Sequence, residues 1–531
     1  MGYLGAVSAL LTLSSALLYS ASFPPLELHA LAWLALAPLL VVAARERPRV
    51  AALHGFLWGW VVCLAIGWPL AGMLSRHLSI APWLGWVGFA GGATFLVGAH
   101  VAVFAAWLSW ISAGGRGGPL AIAAGWVVSE WIRLHGSAGI PWALSGYSQV
   151  PAAPLLQIAD LAGPFGIGAL VALVNAAVAS TLAPRLRPPR PALAVACVAA
   201  LFALAFSYGS WRLAERRDHG SVVDVAILQD GRAPSLVDVA AESDEALARY
   251  LALSEAASDG SPRIVFWPEY ALSFVPDETP LESQQILDAS DLIAADVVFG
   301  APQVEPLDDA AADAPAHAPA HAPADRRSSE TRHNSVFLVR DGELAGRYDK
   351  EEPLPLSERD SFGVRSHLGL PSYAPGTKTA PLASSAGRIG VLLCSEAMQP
   401  SLARERVRDG AVLLVNPSND SWFGAEFAQR TQLRIASMRA VESRRFLIRP
   451  TTTGYSAVID PTGRIIAKSG LDRAEILAAR VLPRDEITPY HRFGDVLVGL
   501  ALAWVAWTSY RAAAAGSAGS RSIFIGSRSS T

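Results

Sequence analysis

Cysteine is scarce in this chain, with three in 531 residues. Cys63 and Cys197 lie inside apolar runs, where a thiol packs as a small hydrophobe. Cys394 stands alone in a polar stretch, so no disulfide framework is expected, whatever the compartment. Three scattered cysteines also make no zinc pattern, and no metal site is expected. Charge is scarce too, at 17% of residues, and acids nearly vanish from the first 211. The formal net charge of −3 gives no global basic field of the kind that draws nucleic acid. What the chain has in excess is hydrophobicity, 52% of residues, against a soluble average slightly below that.

That excess is confined to residues 1–211 and a stretch near the C-terminus, while 212–490 has ordinary soluble composition. A membrane-spanning helix needs about 20 apolar residues. Seven such segments are read before the polar part, at 3–22, 27–44, 51–73, 84–111, 118–135, 158–182 and 191–211, and an eighth at 493–511. The first has no basic segment ahead of it, and six more spans follow, so it reads as a span rather than a cleaved signal. The basic loops Arg45–Arg49, Arg116 and Arg185–Arg190, and the tail with Arg511, Arg521 and Arg528, fall on one side of an eight-span layout. That side is expected to be cytoplasmic. The polar domain is then extracytoplasmic, with Arg212, Arg216 and Arg217 against the trend.

Two polar features interrupt the apolar half. Glu130 and Arg133, three apart on a helix, are placed to pair near the membrane surface. Gly139–Gln149 is rich in turn formers and aromatics, which fits a re-entrant or interfacial loop as well as a plain connection with an aromatic belt.

From residue 222 short β-branched runs alternate with helical stretches, the pattern of an α/β sandwich. Strands are expected at 222–228, 263–267, 297–300, 335–340, 389–394, 412–417, 446–452, 455–460 and 476–481, with helices near 236–257, 281–293, 398–409 and 426–444. Asp341-Gly342 and Pro461-Thr462-Gly463 read as hairpin turns. Residues 307–330, near-repeats of Ala, Pro, His and Asp, have too little to bury and are expected to be a disordered insertion. Its His317 and His321 are read with it rather than as metal ligands.

Three segments carry possible chemistry. Trp267-Pro268-Glu269 puts a carboxylate at a strand end, Tyr348-Asp349-Lys350 does the same for an amine, and Leu393-Cys394-Ser395-Glu396 ends a buried strand on a thiol. A helical stretch follows Cys394, and a helix N-terminus favours a thiolate. Taken singly, each has a bland reading as a core thiol, a solvated loop acid or a surface lysine. Their combination and order resemble the Glu-Lys-Cys triad of the nitrilase superfamily. Together with Ser129–Arg133, Gly139–Gln149, Ser418-Asn419-Asp420-Ser421-Trp422-Phe423-Gly424, Met438-Arg439-Ala440 with Glu442, and Gly454–Ala457, nearly the whole chain resembles the apolipoprotein N-acyltransferase family.

The resemblance implies a polytopic helical bundle of about eight spans carrying a nitrilase-like αββα sandwich. The divisions are 1–211, 212–490, and 491–531 for the last span and tail. It implies a multi-pass protein of the bacterial inner membrane, with its catalytic domain on the periplasmic side. The substrates implied are a phospholipid acyl donor and a diacylglyceryl-apolipoprotein acceptor, with no cofactor. Cys394 is then the nucleophile, Glu269 the base, and Lys350 with the Ser395 N–H the oxyanion donors. Glu358 steadies Lys350, Glu396 is a further supporting residue, and Trp422 and Phe423 form an apolar lid or a membrane contact unless they are simply core. The sequence departs from the family pattern in having Ser395 where Tyr is usual, Pro355-Leu356-Ser357-Glu358-Arg359 for Pro-Phe-Gly-Glu-Tyr, and Thr452 for Asn. Two alternatives stay open: a membrane-bound nitrilase or amidase-type C–N hydrolase, and an inactive paralogue that binds lipoproteins as a scaffold.

Overall fold

The computed structural model describes residues 3–135, 141–215, 220–233, 239–276, 280–306, 330–368, 370 and 372–526. The stretch with His317 and His321 lies outside them, as do Arg216 and Arg217. The apolar half is helical throughout its long runs: α1 (Tyr3–Ala21), α2 (Ala37–Arg45), α3 (Pro48–Gly67), α4 (Pro69–His77), α5 (Pro82–Ala93), α6 (Ala99–Ala113), α7 (Pro119–His135), α8 (Ala159–Leu182) and α9 (Pro191–Ala214). Several expected spans are broken, for stated reasons. Pro69 cannot donate to the turn before it, so the run at 51–73 divides into α3 and α4. A π-helical turn at Thr94–Gly98 separates α5 from α6. Among the described residues, four helices are long and apolar enough to cross a membrane: Pro48–Gly67, Ala159–Leu182, Pro191–Ala214 and Val496–Ala515.

The polar part builds two six-stranded sheets. β1 (Val223–Gln229), β2 (Ile264–Phe266), β3 (Asp296–Pro306), β4 (Glu330–Arg340), β5 (Glu343–Asp349) and β12 (Glu475–Val481) form one, in the order β12-β1-β2-β3-β4-β5. The other runs β11-β10-β9-β8-β7-β6, from β6 (Leu382–Ser384), β7 (Gly387–Val391), β8 (Leu413–Val415), β9 (Leu447–Arg449), β10 (Ala457–Ile459) and β11 (Ile465–Lys468). β1, β2 and β3 are parallel, and so are β7, β8 and β9. The β4–β5 hairpin turns at Asp341-Gly342, both at positive φ (53° and 69°), as a two-residue hairpin turn of type I′ requires.

Burial sorts the polar part into layers. Ile227, Phe266 and Leu338 of the first sheet pack against Val391, Val415 and Ile448 of the second. The first sheet's other face is covered by α10 (Val239–Ser258) and α11 (Pro280–Ile293), through Leu247, Tyr250 and Ile286. The second sheet's other face is covered by α12 (Pro400–Arg408) and α13 (Glu426–Ser443). This last layer does not face solvent. Ala403, Ile435 and Met438 belong to one apolar cluster with Leu39, Phe104 and Trp126 of the helical half. The αββα sandwich is thus seated on the helical bundle by one of its own helical layers. α14 (Val496–Gly526) leaves the sandwich and packs on α7.

The segment expected at Gly139–Gln149 is described from Pro141, Gly139 and Ile140 lying outside the described residues, and that part is no exposed interfacial belt. From Pro141 to Gln149 every residue is buried, Ser145–Gln149 as a 3-10 turn. Glu130 and Arg133 do not pair with each other. Glu130 accepts from the Ser145 N–H at 2.7 Å and from its hydroxyl at 2.9 Å, and Arg133 Nη1 donates to the Trp142 carbonyl at 3.1 Å. Both charges are out of water, so each is satisfied by the loop's orphan polar groups, and the loop is pinned to α7.

Candidate active site

The carboxyl ends of the parallel strands converge at one edge of the sandwich, the place where α/β sheets expose ligand-binding loops. Glu269 follows β2 through Pro268, Lys350 follows β5, Cys394 comes three residues after β7, and Asn419 lies in the loop after β8. Cys394 has φ +49°. That left-handed backbone costs a non-glycine residue about 1 kcal/mol or more, and here it turns the chain sharply out of the strand. The turn is held from both sides. The Cys394 N–H donates to the Pro417 carbonyl at 2.7 Å, and Asn416 Nδ2 donates to the Cys394 carbonyl at 3.1 Å.

The structure brings Glu269, Lys350, Glu358 and Cys394 together. Lys350 Nζ lies 2.7 Å from Glu358 Oε2 and 3.7 Å from Glu269 Oε1, and all three side chains are buried. The Cys394 thiol lies close enough to Glu269 and Lys350 to feel the charge of both. Two asparagines that sequence reasoning missed complete the frame. Asn334 on β4 donates to Glu269 Oε1 at 2.8 Å and to Glu358 Oε1 at 2.9 Å. The Asn419 N–H donates to Glu269 Oε2 at 2.8 Å. A lone Asn within or beside a strand has no periodic signature. Asn419 lies in the Ser418–Gly424 segment that carries the family resemblance, but nothing in that segment marked it as a partner of Glu269.

Burial pushes Glu269 above the usual carboxylate range. Lys350 opposes that rise and Glu358 adds to it. For Glu358 burial is outweighed by Lys350 and by the Leu354 and Asn334 hydrogen bonds, so it falls below the usual range. Lys350 loses hydration but gains Glu358, Glu269 and Cys394 as neighbours, which raise it, so it stays charged. The thiol is the correction. Burial, seconded by Glu269, pushes Cys394 well up, with Lys350 working the other way. Cys394 opens a short 3-10 turn, Cys394–Met398, and not a long helix, so the expected dipole effect is outweighed by desolvation.

Glu396 forms no hydrogen bond or ion pair with Glu269, Lys350 or Glu358 among the described residues. It accepts from Tyr348 Oη at 2.7 Å, from the Glu351 N–H at 2.7 Å and from the Leu393 N–H at 2.7 Å, tying the Lys350 and Cys394 loops to each other. Burial pushes it up to about 7. Phe423 is buried and packs 5.8 Å from Trp142. Trp422 lies over His77 at 4.2 Å, and its carbonyl accepts from Arg76 Nε at 3.1 Å. Both rings therefore face the helical half. Arg449 donates to both oxygens of Asp420 at 2.9 Å and so anchors the segment that carries them.

Residues 224–492 match the carbon-nitrogen hydrolase family, and residues 15–177 match the apolipoprotein N-acyltransferase N-terminal domain. The apolipoprotein N-acyltransferase of Geobacter metallireducens is 30% identical over 512 residues, covering 94% of each chain. The chain belongs to the apolipoprotein N-acyltransferase family. The enzyme of that name from Methylococcus capsulatus is 29% identical over 92% of each chain, and that from Photobacterium profundum 26% over 92% of this chain and 91% of its own. Among solved structures, Nit3 of Saccharomyces cerevisiae, a nitrilase-superfamily member, aligns with 49% of this chain and 90% of its own at 21% identity and TM-score 0.36.

Against the family's usual motifs, the departures have visible consequences. Thr452 supports Asn419, its hydroxyl donating to Asn419 Oδ1 at 2.9 Å. Leu356 sits at φ +66° beside Glu358, and the Leu356–Ser357 carbonyls are both held by Arg365 Nη1. Ser395 is buried, and its hydroxyl has no hydrogen-bond partner among the described residues.

Proposed function

We propose that this chain transfers an acyl group from a membrane phospholipid to the α-amino group of the diacylglyceryl-cysteine at a lipoprotein N-terminus, through a thioester on Cys394. The observation that carries the proposal is the closed set of buried Glu269, Lys350 and Glu358 around the half-buried Cys394, in a chain that matches this family over 94% of its length. In the first half-reaction Glu269 takes the proton of Cys394. The thiolate attacks the ester carbonyl, and Lys350 with the Ser395 N–H receives the oxyanion. One such donor is worth about 3 kcal/mol. The proton on Glu269 then passes to the departing lysophospholipid hydroxyl. In the second half, Glu269 deprotonates the incoming amine, which attacks the thioester and releases the Cys394 thiol with an amide formed. Splitting one hard displacement into two easier ones is what a covalent nucleophile offers.

A cavity of about 190 Å³ gives the acyl chain its place in this reading. Its walls come from Ile66, Leu74 and Phe89 of the helical half and from Leu354–Ser357, next to Glu358. Both substrates are lipids, and pulling an acyl chain out of a bilayer costs about 0.8 kcal/mol per CH₂. A site roofed by the sandwich and walled by the bundle avoids that step.

The eight apolar segments are read as eight spans, with the sandwich outside the cytoplasmic membrane. The basic loops support this orientation. Arg45 and Arg185 bond across to the Leu182 and Ala44 carbonyls, and Arg116 and Arg511 line one cavity, so these charges gather at the bundle end remote from the sandwich. Positive charge marks the cytoplasmic end. Arg212, at the other end, is offset by Asp160 and Glu486.

The test uses purified protein in detergent with phospholipid labelled in its sn-1 acyl chain. Label is expected on the protein, removable by neutral hydroxylamine and absent from Cys394→Ala, and it moves to the amine of an added diacylglyceryl-cysteine peptide. Release of label only to water would favour the hydrolase. Absence of label on folded protein would leave the scaffold.

A further inference from the structure

α9 and α14, the helices on either side of the sandwich in the chain, stand apart along their far halves. α9 touches its neighbours on one side, with Phe202 on Trp33 at 5.0 Å and Gly209 so close to Pro154 that an added Cβ would lie 1.6 Å from its carbonyl oxygen. Of its 24 residues only Gly209 and Arg212 are buried. α14 is fixed elsewhere, with Trp107 Nε1 donating to Ser509 Oγ at 2.9 Å.

Between the two helices runs a groove made of two adjoining cavities. One, of about 520 Å³, is lined only by apolar residues, Val127, Leu170 and Ala205 among them. The other, of about 720 Å³, continues it away from the sandwich, and the two share Leu120, Leu173, Leu201 and Trp504. On α14 the walls run from Leu497 to Arg511, about 21 Å at the helical rise of 1.5 Å per residue. One leaflet's hydrocarbon is half of ~30 Å, so the groove accommodates acyl chains and reaches the headgroup level beyond them.

The far end of the groove is cationic. Among the described residues Arg116 and Arg511 line it and no Asp or Glu does. Arg511 lies over the Trp507 ring at 5.1 Å, and the N-terminal end of α7, with its partial positive charge, closes the same end. An apolar slot one leaflet long, ending in two guanidiniums and a helix N-terminus, is complementary to a two-chain amphiphile with a net negative head.

We propose that this groove holds one anionic phospholipid of the leaflet opposite the sandwich, its phosphate between Arg116 and Arg511 and its chains between α7, α8, α9 and α14. The lipid would fill the gap between the two helices that tether the catalytic domain. The proposal rests on these helices spanning a membrane and is independent of the chemistry at Cys394, which lies at the other end of the molecule. Zwitterionic lipids carry the same phosphate together with a cation that the two arginines repel, so the headgroup decides occupancy.

The experiment titrates brominated-chain phosphatidylglycerol, and separately brominated-chain phosphatidylcholine, into the full chain in neutral detergent. The readout is the tryptophan quenching that the W504F/W507F variant lacks. Phosphatidylglycerol is expected to saturate this component, phosphatidylcholine to need at least tenfold more lipid, and R116Q/R511Q to need at least tenfold more phosphatidylglycerol. Equal titration by the two lipids on the unaltered chain would overturn the proposal, a comparison that does not depend on the double variant folding. Equal titration of the unaltered chain and R116Q/R511Q by phosphatidylglycerol would overturn the assignment of the arginines.

Discussion

Asn334 is the residue on which the candidate site's charge balance turns. One side-chain amide donates to two carboxylates that would otherwise repel, and Lys350 lies against both. It touches no reacting atom in the proposed chemistry, so it is a positioning residue. Asn334→Ala is expected to lower kcat about tenfold to a hundredfold, the equivalent of about 1.4 to 2.7 kcal/mol, with KM nearly unchanged. Asn334→Asp, of similar volume but without the donor, is expected not to restore the rate. Recovery by Asp would mean that Asn334 merely fills space.

Glu358 sets a pH prediction. Glu269 must be ionised to act as base, and burial has raised it, so kcat/KM is expected to fall with decreasing pH at an acid limb above the ordinary carboxylate range. Glu358 contributes to that rise through its negative charge. Glu358→Gln removes the charge, so Glu269 gives up its proton more easily and the limb moves to lower pH. The plateau falls as well, because Lys350 loses its nearest partner. An acid limb that stays in place in the variant would separate it from Glu269.

Sequence made Glu269, Lys350 and Cys394 legible as strand-end residues, while their grouping, and Glu358 with it, came from the resemblance to the family. Asn334 escaped because it precedes the strand expected from Ser335 and has no partner within the local sequence. The thiolate argument at Cys394 failed because the chain after it forms a short 3-10 turn before any helix, and desolvation outweighs the turn's dipole.

At the scale of elements, nine strands and four helices of the sandwich were readable from hydrophobic runs. The strands after Asp341-Gly342 and after Pro461-Thr462-Gly463, β5 and β11, were implied by their turns. β6 was not, because a three-residue edge strand offers too little alternation to recognise. The apolar segments were readable as helices, but their breaks at Pro69 and at the π turn were not, since hydropathy is blind to hydrogen-bond register. Gly88 on α5 tests what these elements enclose. A Cβ there would lie 2.5 Å from Leu74 Cδ2, and both residues line the cavity of about 190 Å³. Leu74 is flexible at that end, so Gly88→Val is expected to fold, with Leu74 displaced into the cavity. Thioester formation from a long-chain donor should then fall severalfold relative to a short-chain donor. Equal loss with both would place the acyl chain elsewhere.

At the scale of the whole molecule, the chain is held in one piece by charge buried in the apolar half. Composition located the change of character near residue 211 but gave no sign of the joint. Asp160 at the start of α8 is fully buried, accepting from Tyr208 Oη at 2.7 Å, from Arg212 at 2.9 Å and from Arg444 at 2.6 Å. Tyr208 and Arg212 belong to α9, and Arg444 caps α13 in the sandwich with φ +51°. One carboxylate thus joins bundle, tether and catalytic layer. Removing one partner of a buried ion cluster leaves uncompensated charge and costs about 3–5 kcal/mol. In Asp160→Asn, Arg212 keeps Glu215 and Glu486, while Arg444 is left with Gln157 and the Pro461 carbonyl. The variant is therefore expected to show a clearly lower thermal midpoint in detergent and earlier proteolysis after the α9 tether. Arg464→Ala, which removes an exposed charge paired with Asp460, should leave both unchanged within error, since exposed pairs contribute about 0–1 kcal/mol. An unaltered midpoint in Asp160→Asn would assign the joint to the apolar contact between α13 and the bundle, with the ion cluster setting only the angle at which the two meet.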